Sequence, residues 1–199
     1  FAKRHQYMTL VCDLHKGTVE FVTDERRQAS LEEYFLPFEK EELGQIEAIC
    51  MDMHDPYIAA VRAYVPDADL KIVFDKFHVI RLVNEAVDKV RRQENKELRE
   101  QQIEVLTGTK YLWLYAFEGI PDHLLPCFDE LRRMDLKVSR AWAIKETLRK
   151  LWDYVHEGWA RRFFRRWYWW ATHSQLAPMV AAAKTLKRDL ANILTYLPH

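Results

Sequence analysis

The sequence predicts an α/β fold in which a mixed sheet-and-helix half comes first and a mainly helical half follows. Short β-rich apolar runs that end at aspartates lie in the first 75 residues, whereas apolar residues recur with the helical period from Phe77 onward. Five glycines and seven prolines in 199 residues are few for an all-β protein. An apolar fraction of 49% with 13% aromatic residues is sufficient for a packed core and excludes wholesale disorder.

The chain opens with a predicted antiparallel hairpin. Residues 7–13 form a β-rich apolar run, residues 18–23 alternate as a second strand should, and Gly17 belongs to the turn between them. Ser30 is then predicted to cap a short helix, with Glu33 three residues on completing a capping box.

A predicted strand–helix–strand unit comes next. It consists of the apolar run 46–51, a helix that Asp55 caps and that extends to about Tyr64, and the apolar run 70–74. Because closely spaced strands with one crossover helix run parallel and cross over with a right hand, the two runs are predicted to be parallel strands.

The remaining sequence is predicted to be helical. A long helix at 77–105 has a valine-rich face, and further helices are predicted at 122–134, 138–156, 157–172 and 178–197. We therefore predict two regions, an α/β core at 1–95 and a mainly helical region at 96–199.

Three aspartates, Asp13, Asp52 and Asp75, each follow an apolar strand candidate. A carboxylate is costly to remove from water unless it is paired or bound to a cation. Acids presented at the strand ends of one sheet would form an oxygen-rich pocket suited to Mg²⁺, and two such ions can act on a phosphodiester. The alternative is that these acids cap helices or lie in loops.

Four segments carry a longer pattern. They are Met51-Asp-Met-His-Asp-Pro-Tyr57, Val65-Pro-Asp-Ala-Asp69, Ile72-Val-Phe-Asp-Lys-Phe-His-Val79 and Asn84-Glu-Ala-Val-Asp-Lys-Val-Arg-Arg92. This pattern resembles the DDE transposases of the ISL-type insertion-sequence family, to which residues 106–113 and 141–146 are also similar. The resemblance covers most of the chain. It implies a ribonuclease H-like mixed sheet, cutting and rejoining of DNA, and an Asp, Asp and Glu that hold two Mg²⁺ ions, with Mn²⁺ as a substitute.

The resemblance also implies which residues form the site. Asp13 matches the family's first acid, and the implied strand order places the strand that ends at Asp52 beside it, about 4.8 Å away. Asp13 and Asp52 are therefore the expected catalytic and metal-binding residues. Asp75 is one strand further away, so it and His78 are expected to cap the long helix or to support the site from behind, with Asp75 as the alternative second acid.

The family's third acid, a glutamate, has no matching segment in this sequence and is expected beyond His199. We therefore expect the chain to be the central part of a longer transposase, and expect strand cleavage by residues 1–199 alone to be negligible. The resemblance implies transposon-end and target DNA as partners and a homo-oligomer on that DNA. A cytoplasmic protein without a membrane segment is expected, since neither a signal peptide nor an apolar run of about 18 residues is present.

The zero net charge conceals an asymmetry between the two halves. Residues 1–75 hold 8 Lys and Arg against 15 Asp and Glu, and residues 76–199 hold 22 against 15. Within the basic half, residues 159–170 are predicted to form a helix whose apolar stripe consists of Trp159, Phe163, Trp167 and Trp170. Off this stripe lie the four candidate DNA-binding residues, which are Arg161, Arg162, Arg165 and Arg166.

Other patterns exclude some function classes. No zinc-ligand spacing and no glycine-rich phosphate loop is present, and Cys12 and Cys50 lie in apolar runs where buried thiols are expected. The alternative to a transposase is a non-catalytic domain that binds DNA or protein through its helical half, with the aspartates acting as caps.

Overall fold

The structure is a computed structural model that describes residues 7–195. The chain divides into two compact units, residues 1–74 and 75–199. The predicted α/β class is confirmed, because strands and helices are both present in the first unit and helices make up the described part of the second. The long helix that we predicted largely within the core region belongs to the second unit.

The first unit begins with the predicted hairpin. Strand β1, Met8–Asp13, pairs antiparallel with β2, Thr18–Asp24, and a register shift lies between Val11 and Cys12. Gly17 in the connecting turn has a φ of +67°, which favours glycine over other residues. The hairpin prediction is therefore confirmed, but the thiol prediction is wrong: Cys12 and Cys50 are both exposed, because their strands are not covered on both faces.

Two short helices follow, and they correct the predicted cap. Helix α1, Gln28–Phe35, begins before Ser30, whose buried hydroxyl donates to the carbonyl oxygen of Asp24 at 3.1 Å. Ser30 therefore fastens the end of β2 to α1 and does not cap a helix. A capping box is instead present at the start of α2, Lys40–Gly44, between Glu39 and Glu42.

The predicted parallel crossover is present. Strand β3, Ile49–Met51, leads through α3, Asp55–Tyr64, and the short α4, Ala68–Lys71, to β4, Ile72–Phe74. Strands β3 and β4 pair in parallel, and β4 is buried throughout. Helix α1 packs on α3, with Phe35 stacked on Tyr64 at 5.9 Å between ring centroids.

The described strands do not form the single sheet that the resemblance implied. Within residues 7–195, β1 pairs with β2 and β3 pairs with β4, in two separate two-stranded sheets. Strand β1 instead contacts α3 through a side chain, because the hydroxyl of buried Thr9 is hydrogen-bonded to that of Tyr57. The expected neighbouring position of β1 and β3 is therefore not observed in this part of the chain.

The second unit is built from helices, and most begin close to the predicted positions. The helix predicted at 138–156 ends at Arg149, and the one predicted at 178–197 is divided at Asp189, with residues 196–197 outside the described part of the chain. The α-helices are α5, Lys76–Glu100; α6, Lys110–Leu114; α7, Leu125–Arg133; α8, Lys137–Arg149; α9, Glu157–Thr172; α10, Ala177–Arg188; and α11, Leu190–Leu194. Helix α6 was not predicted. Helix α5 ends five residues earlier than predicted, and Gln102 just beyond it has a φ of +62°, which interrupts the helix.

Helix α5 is the centre of this unit, with α8 and α10 packed against it. Its predicted valine face is confirmed by buried Val79, Val83 and Val90. Buried Glu94 on the same helix accepts hydrogen bonds from the backbone amides of Lys137 and Val138, at 2.6 and 2.8 Å. A carboxylate placed there satisfies the unpaired amides at the start of α8 and complements its dipole.

A buried lysine satisfies carbonyl groups at the end of α6, whereas Glu94 satisfies amides at the start of α8. Lys145 of α8 is 1% exposed, and its ammonium group donates to the carbonyl oxygens of Trp113, Leu114 and Tyr115 at 3.1, 3.3 and 2.6 Å. Burial lowers the pKa of Lys145 to about 8. Because a helix leaves its last carbonyl groups unpaired, Lys145 holds the C-terminal end of α6 against α8.

We expect Lys145→Met to lower the free energy of unfolding by about 1–3 kcal/mol, because the carbonyl groups of Trp113 and Leu114 lose their donor and that of Tyr115 keeps only the indole N–H of Trp142. Urea denaturation followed by circular dichroism measures this value. The control is Lys150→Met, at an exposed position just after α8, for which a change within about 0.5 kcal/mol is expected. Equal effects of the two substitutions would show that Lys145 does not hold α6.

Candidate active site and nucleic-acid surface

Asp52 lies directly after β3 and is paired with an arginine. Its carboxylate forms an ion pair with the guanidinium group of Arg26, which lies in the segment between β2 and α1. The Asp52 side chain is 16% exposed and that of Arg26 is 30% exposed. A partly buried carboxylate is stabilised by such a cation, and here the pair joins the hairpin's exit to the end of β3.

Three further side chains complete what we call the Asp52 cluster, which consists of Asp52, Arg26, His54, Tyr57 and Thr9. The Tyr57 hydroxyl is 2.6 Å from the Thr9 hydroxyl, which donates to the carbonyl oxygen of Glu25 at 2.7 Å. The Tyr57 ring is in edge contact with His54 at 4.8 Å, and Arg26 Cζ lies 5.9 Å from its centroid. The cluster therefore ties β1, the β2–α1 segment and α3 together.

His54 is the unusual member of the cluster. Its buried Nδ1 has no hydrogen-bond partner among the described residues. Burial lowers the pKa of His54, and the nearby positive charge of Arg26 lowers it further. The imidazole is therefore biased toward its neutral form beside Asp52. The sequence assigned no role to Arg26, His54, Tyr57 or Thr9, although His54 and Tyr57 fall within the first quoted motif segment.

The carboxylate of Asp13 is bonded within the turn that follows β1. Its carboxylate accepts from the backbone amides of His15 and Lys16 at 2.9 and 3.0 Å, and the Lys16 ammonium group lies 3.0 Å away. These bonds, led by that from the Lys16 amide, lower the pKa of Asp13. Asp13 thus stabilises the hairpin turn as a local acceptor.

Asp13 lies at the opposite end of β1 from Thr9, the residue of this strand that belongs to the Asp52 cluster. Tyr57 contacts Thr9 near the beginning of β1, whereas Asp13 ends the strand. Four residues of extended strand span about 13 Å. Among the described residues, no hydrogen bond or ion pair joins Asp13 to Asp52, and residues 7–195 contain no group of three or more His, Cys, Asp or Glu placed to hold a metal ion. The sharing of one Mg²⁺ ion by these two carboxylates therefore stays a prediction.

Asp75 caps the long helix, as predicted. Its carboxylate accepts from the backbone amide of Phe77 at 2.9 Å at the start of α5. His78, one turn into that helix, has a buried Nδ1 for which the described residues provide no hydrogen-bond partner. Both residues belong to the second unit.

The four predicted DNA-binding arginines are exposed on α9, but the buried stripe of this helix differs from the prediction. The buried residues are Ala160, Phe164, Trp167 and Ala171, and Trp167 donates to the carbonyl oxygen of Ile144 at 2.8 Å. Of the predicted stripe, Trp167 is confirmed as buried. Trp159 and Trp170 are exposed, because small alanines bring α9 close to α8 and α10 and these larger side chains remain outside.

The exposed side of α9 therefore combines basic and aromatic side chains. We call it the α9 face, defined by Arg161, Arg162, Arg165, Arg166, Trp159, Trp169 and Trp170. Arg161 is paired with Glu157 at 2.6 Å, and Arg162 Cζ lies 5.6 Å from the Trp159 ring centroid. Within residues 7–195, Arg165 and Arg166 have no acidic partner at ion-pair distance, so their charge is available to an anion.

Comparison with known proteins identifies the family. Residues 1–199 match the profile of the ISL3-type DDE transposases, which is described as transposase. The chain belongs to this family. It is 26% identical over 200 residues to the transposase for insertion sequence element IS1001 of Bordetella parapertussis, an alignment that covers 99% of the chain and 49% of that relative. The chain thus spans about half the length of the curated relative it matches. No solved structure matches it.

Much of the motif in this ISL3-type chain is structural. Asp88 is paired with Arg91 at 2.8 Å and with Arg92 at 3.2 Å along α5. Lys145 and Glu146 from the segment 141–146 lie at the α6–α8 junction, where Glu146 accepts from the amide of Phe117 at 3.1 Å.

Among the described residues, no helix is both long and apolar enough to cross a membrane.

Tyr57→Phe removes the hydroxyl that bonds to Thr9, and we expect it to lower the free energy of unfolding by about 1 kcal/mol. The measurement is equilibrium denaturation. Tyr34→Phe is the matched control, since the Tyr34 ring packs on Phe21 and Phe38 and the described residues offer its hydroxyl no hydrogen bond. If both substitutions have the same effect, the Thr9–Tyr57 bond does not hold β1 to α3.

Proposed function

We propose that this chain provides part of a transposase that cuts and rejoins DNA strands, and that Asp52 is an essential carboxylate of its active site. The observation that carries the proposal is the Asp52 cluster. A strand-end carboxylate is kept partly buried there and is held in place by Arg26. Neighbouring His54 has a buried ring nitrogen for which residues 7–195 provide no hydrogen-bond partner.

The proposed fold of the complete catalytic region is ribonuclease H-like. The antiparallel hairpin β1–β2 followed by the parallel unit β3–α3–β4 supports this proposal, because both arrangements are expected in such a mixed sheet. The expected contact between the strands of Asp13 and Asp52 lacks support in the described residues.

Mg²⁺, with Mn²⁺ as a substitute, is the proposed cofactor, since carboxylate oxygens are the ligands that it prefers. Asp52 and Asp13 are the proposed ligands within this chain, together with a glutamate from outside residues 1–199. Asp52 is the better supported of the two, because it lies in a side-chain cluster rather than in its own turn. For Asp75, the hydrogen bond to the backbone amide of Phe77 favours the alternative in which this acid caps a helix.

The proposed partners are transposon-end and target DNA, bound by a homo-oligomer in the cytoplasm. The exposed arginines of α9 support the DNA proposal, because Lys and Arg that neutralise phosphates supply most of non-specific DNA affinity. The surplus of Lys and Arg in residues 76–199 supports it as well.

In the full-length transposase, Asp52→Asn is expected to reduce Mg²⁺-dependent nicking of element-end DNA by about 1,000-fold, as loss of a metal-centred interaction worth several kcal/mol would. Gel electrophoresis of labelled ends measures nicking, and calorimetry measures Mn²⁺ binding separately. Asp67→Asn is the control, because Asp67 is an exposed acid whose φ of +55° asparagine also adopts. Nicking that survives Asp52→Asn would refute the catalytic proposal, and the same assay on Asp13→Asn decides that ligand.

Arg165→Gln combined with Arg166→Gln is expected to weaken duplex DNA binding at every sequence tested. The slope of log affinity against log salt concentration should become less steep by about 2, because two phosphate contacts are lost. Lys89→Gln with Lys96→Gln removes the same charge from exposed positions on α5 and is the control. An unchanged slope in the arginine variant would exclude the α9 face as the phosphate-binding surface.

A further inference from the structure

A shallow groove adjoins the α9 face in the second unit. Its volume is about 300 Å³, and its lining includes Trp170, Trp142, Arg132, Arg140 and Asp135. Arg132 is held over the Trp142 ring at 5.2 Å and over Phe128 at 5.7 Å. The groove therefore offers the partly exposed ring of Trp170 beside two arginines, at one edge of the α9 face, although Arg132 is also 3.6 Å from Asp129.

The indole rings of the α9 face are unusually exposed. Trp169 is 63% exposed, Trp159 is 57% exposed and Trp170 is 37% exposed, whereas Trp113, Trp142 and Trp167 in the same unit are buried. Trp169 is already stacked on His173 at 4.5 Å with an interplanar angle of 22°. Large aromatic rings left in water beside cations are typical of a surface that binds a partner.

The charge of the surroundings indicates what kind of partner fits. Arg165 and Arg166 project from α9 without an acidic partner in the described residues. The ammonium group of Lys187 on α10 lies 4.8 Å from the ring centroid of Tyr168 on α9. A ligand that matches both features has regularly spaced anions and flat rings with free faces. A duplex presents the anions, but its rings are already stacked on one another, whereas an unpaired strand presents both.

We propose that the α9 face and the adjoining groove bind single-stranded DNA. Arg165 and Arg166 contact phosphates, an unpaired base stacks on Trp169, and the groove beside Trp170 accepts a neighbouring nucleotide. The inference rests on the proposed DNA function and adds to it that the strand bound here is unpaired. Strand separation at a cut end would generate such a ligand.

The test compares two probes, a fluorescent oligothymidine of about 12 nucleotides and a duplex of the same length. Fluorescence anisotropy gives a dissociation constant for each. Trp169→Ala with Trp170→Ala is expected to weaken oligothymidine binding about 10-fold or more and to change duplex binding less than about 3-fold, because stacking is lost only with unpaired bases. Trp169→Phe with Trp170→Phe, which keeps flat rings, should restore most of the affinity.

Tyr111→Ala is the matched control, since Tyr111 is an equally exposed aromatic residue on α6. Thermal melting of each variant establishes that the helical unit remains folded. An equal loss of affinity for both probes, or no loss of affinity for oligothymidine, overturns the proposal. So does a lower melting temperature of the full-length protein with unchanged oligothymidine affinity, because it would mean that another part of the protein covers the α9 face. The variant Arg165→Gln with Arg166→Gln distinguishes failure of the single-strand inference from failure of the proposed function. Unchanged duplex binding by that variant refutes the DNA function itself.

Discussion

The ion pair between Arg26 and Asp52 is the interaction on which the first unit's candidate site depends. The pair joins the segment after β2 to the end of β3, two places that the chain brings together from 26 residues apart. The Thr9–Tyr57 hydrogen bond is a second tie between the same parts of the unit. Both ties are polar and partly buried, so each stabilises one arrangement of hairpin and helix more than any looser one.

The second unit uses buried charge in a similar way. Glu94 satisfies the amides at the beginning of α8, and Lys145 satisfies the carbonyl groups at the end of α6. In both cases the charge has the sign that the helix end prefers. Helix α8 thus receives one such contact and makes the other.

The sequence predicted those features that depend on neighbouring residues. The hairpin, the parallel crossover, the cap at Asp75 and most helices follow from local periodicity and turn residues, and the structure confirms them. Ser30 was misassigned because a serine followed by a glutamate three residues on can also lie inside a helix. On α9 the apolar residues outnumber the positions that neighbouring helices cover, so composition alone could not choose the buried face.

The candidate site shows the same limit. Asp52 could be predicted because it follows an apolar run, but its contact with Arg26 and the contact of Thr9 with Tyr57 are tertiary contacts that leave no spacing in the sequence. The placement of Asp13 was an expectation taken from strand order, and the turn that surrounds it could not be weighed against that expectation until the hairpin geometry was known.

The exposed thiols of the first unit have a practical consequence. Cys12 lies on the hairpin and Cys50 on β3, the two parts of the unit that the polar ties connect. Accessible thiols react with maleimide dyes and spin labels. With Cys127 replaced by serine, a pair of probes at these two natural positions would report the separation between hairpin and crossover strand in solution, and any change in it when nucleic acid or divalent ions are added.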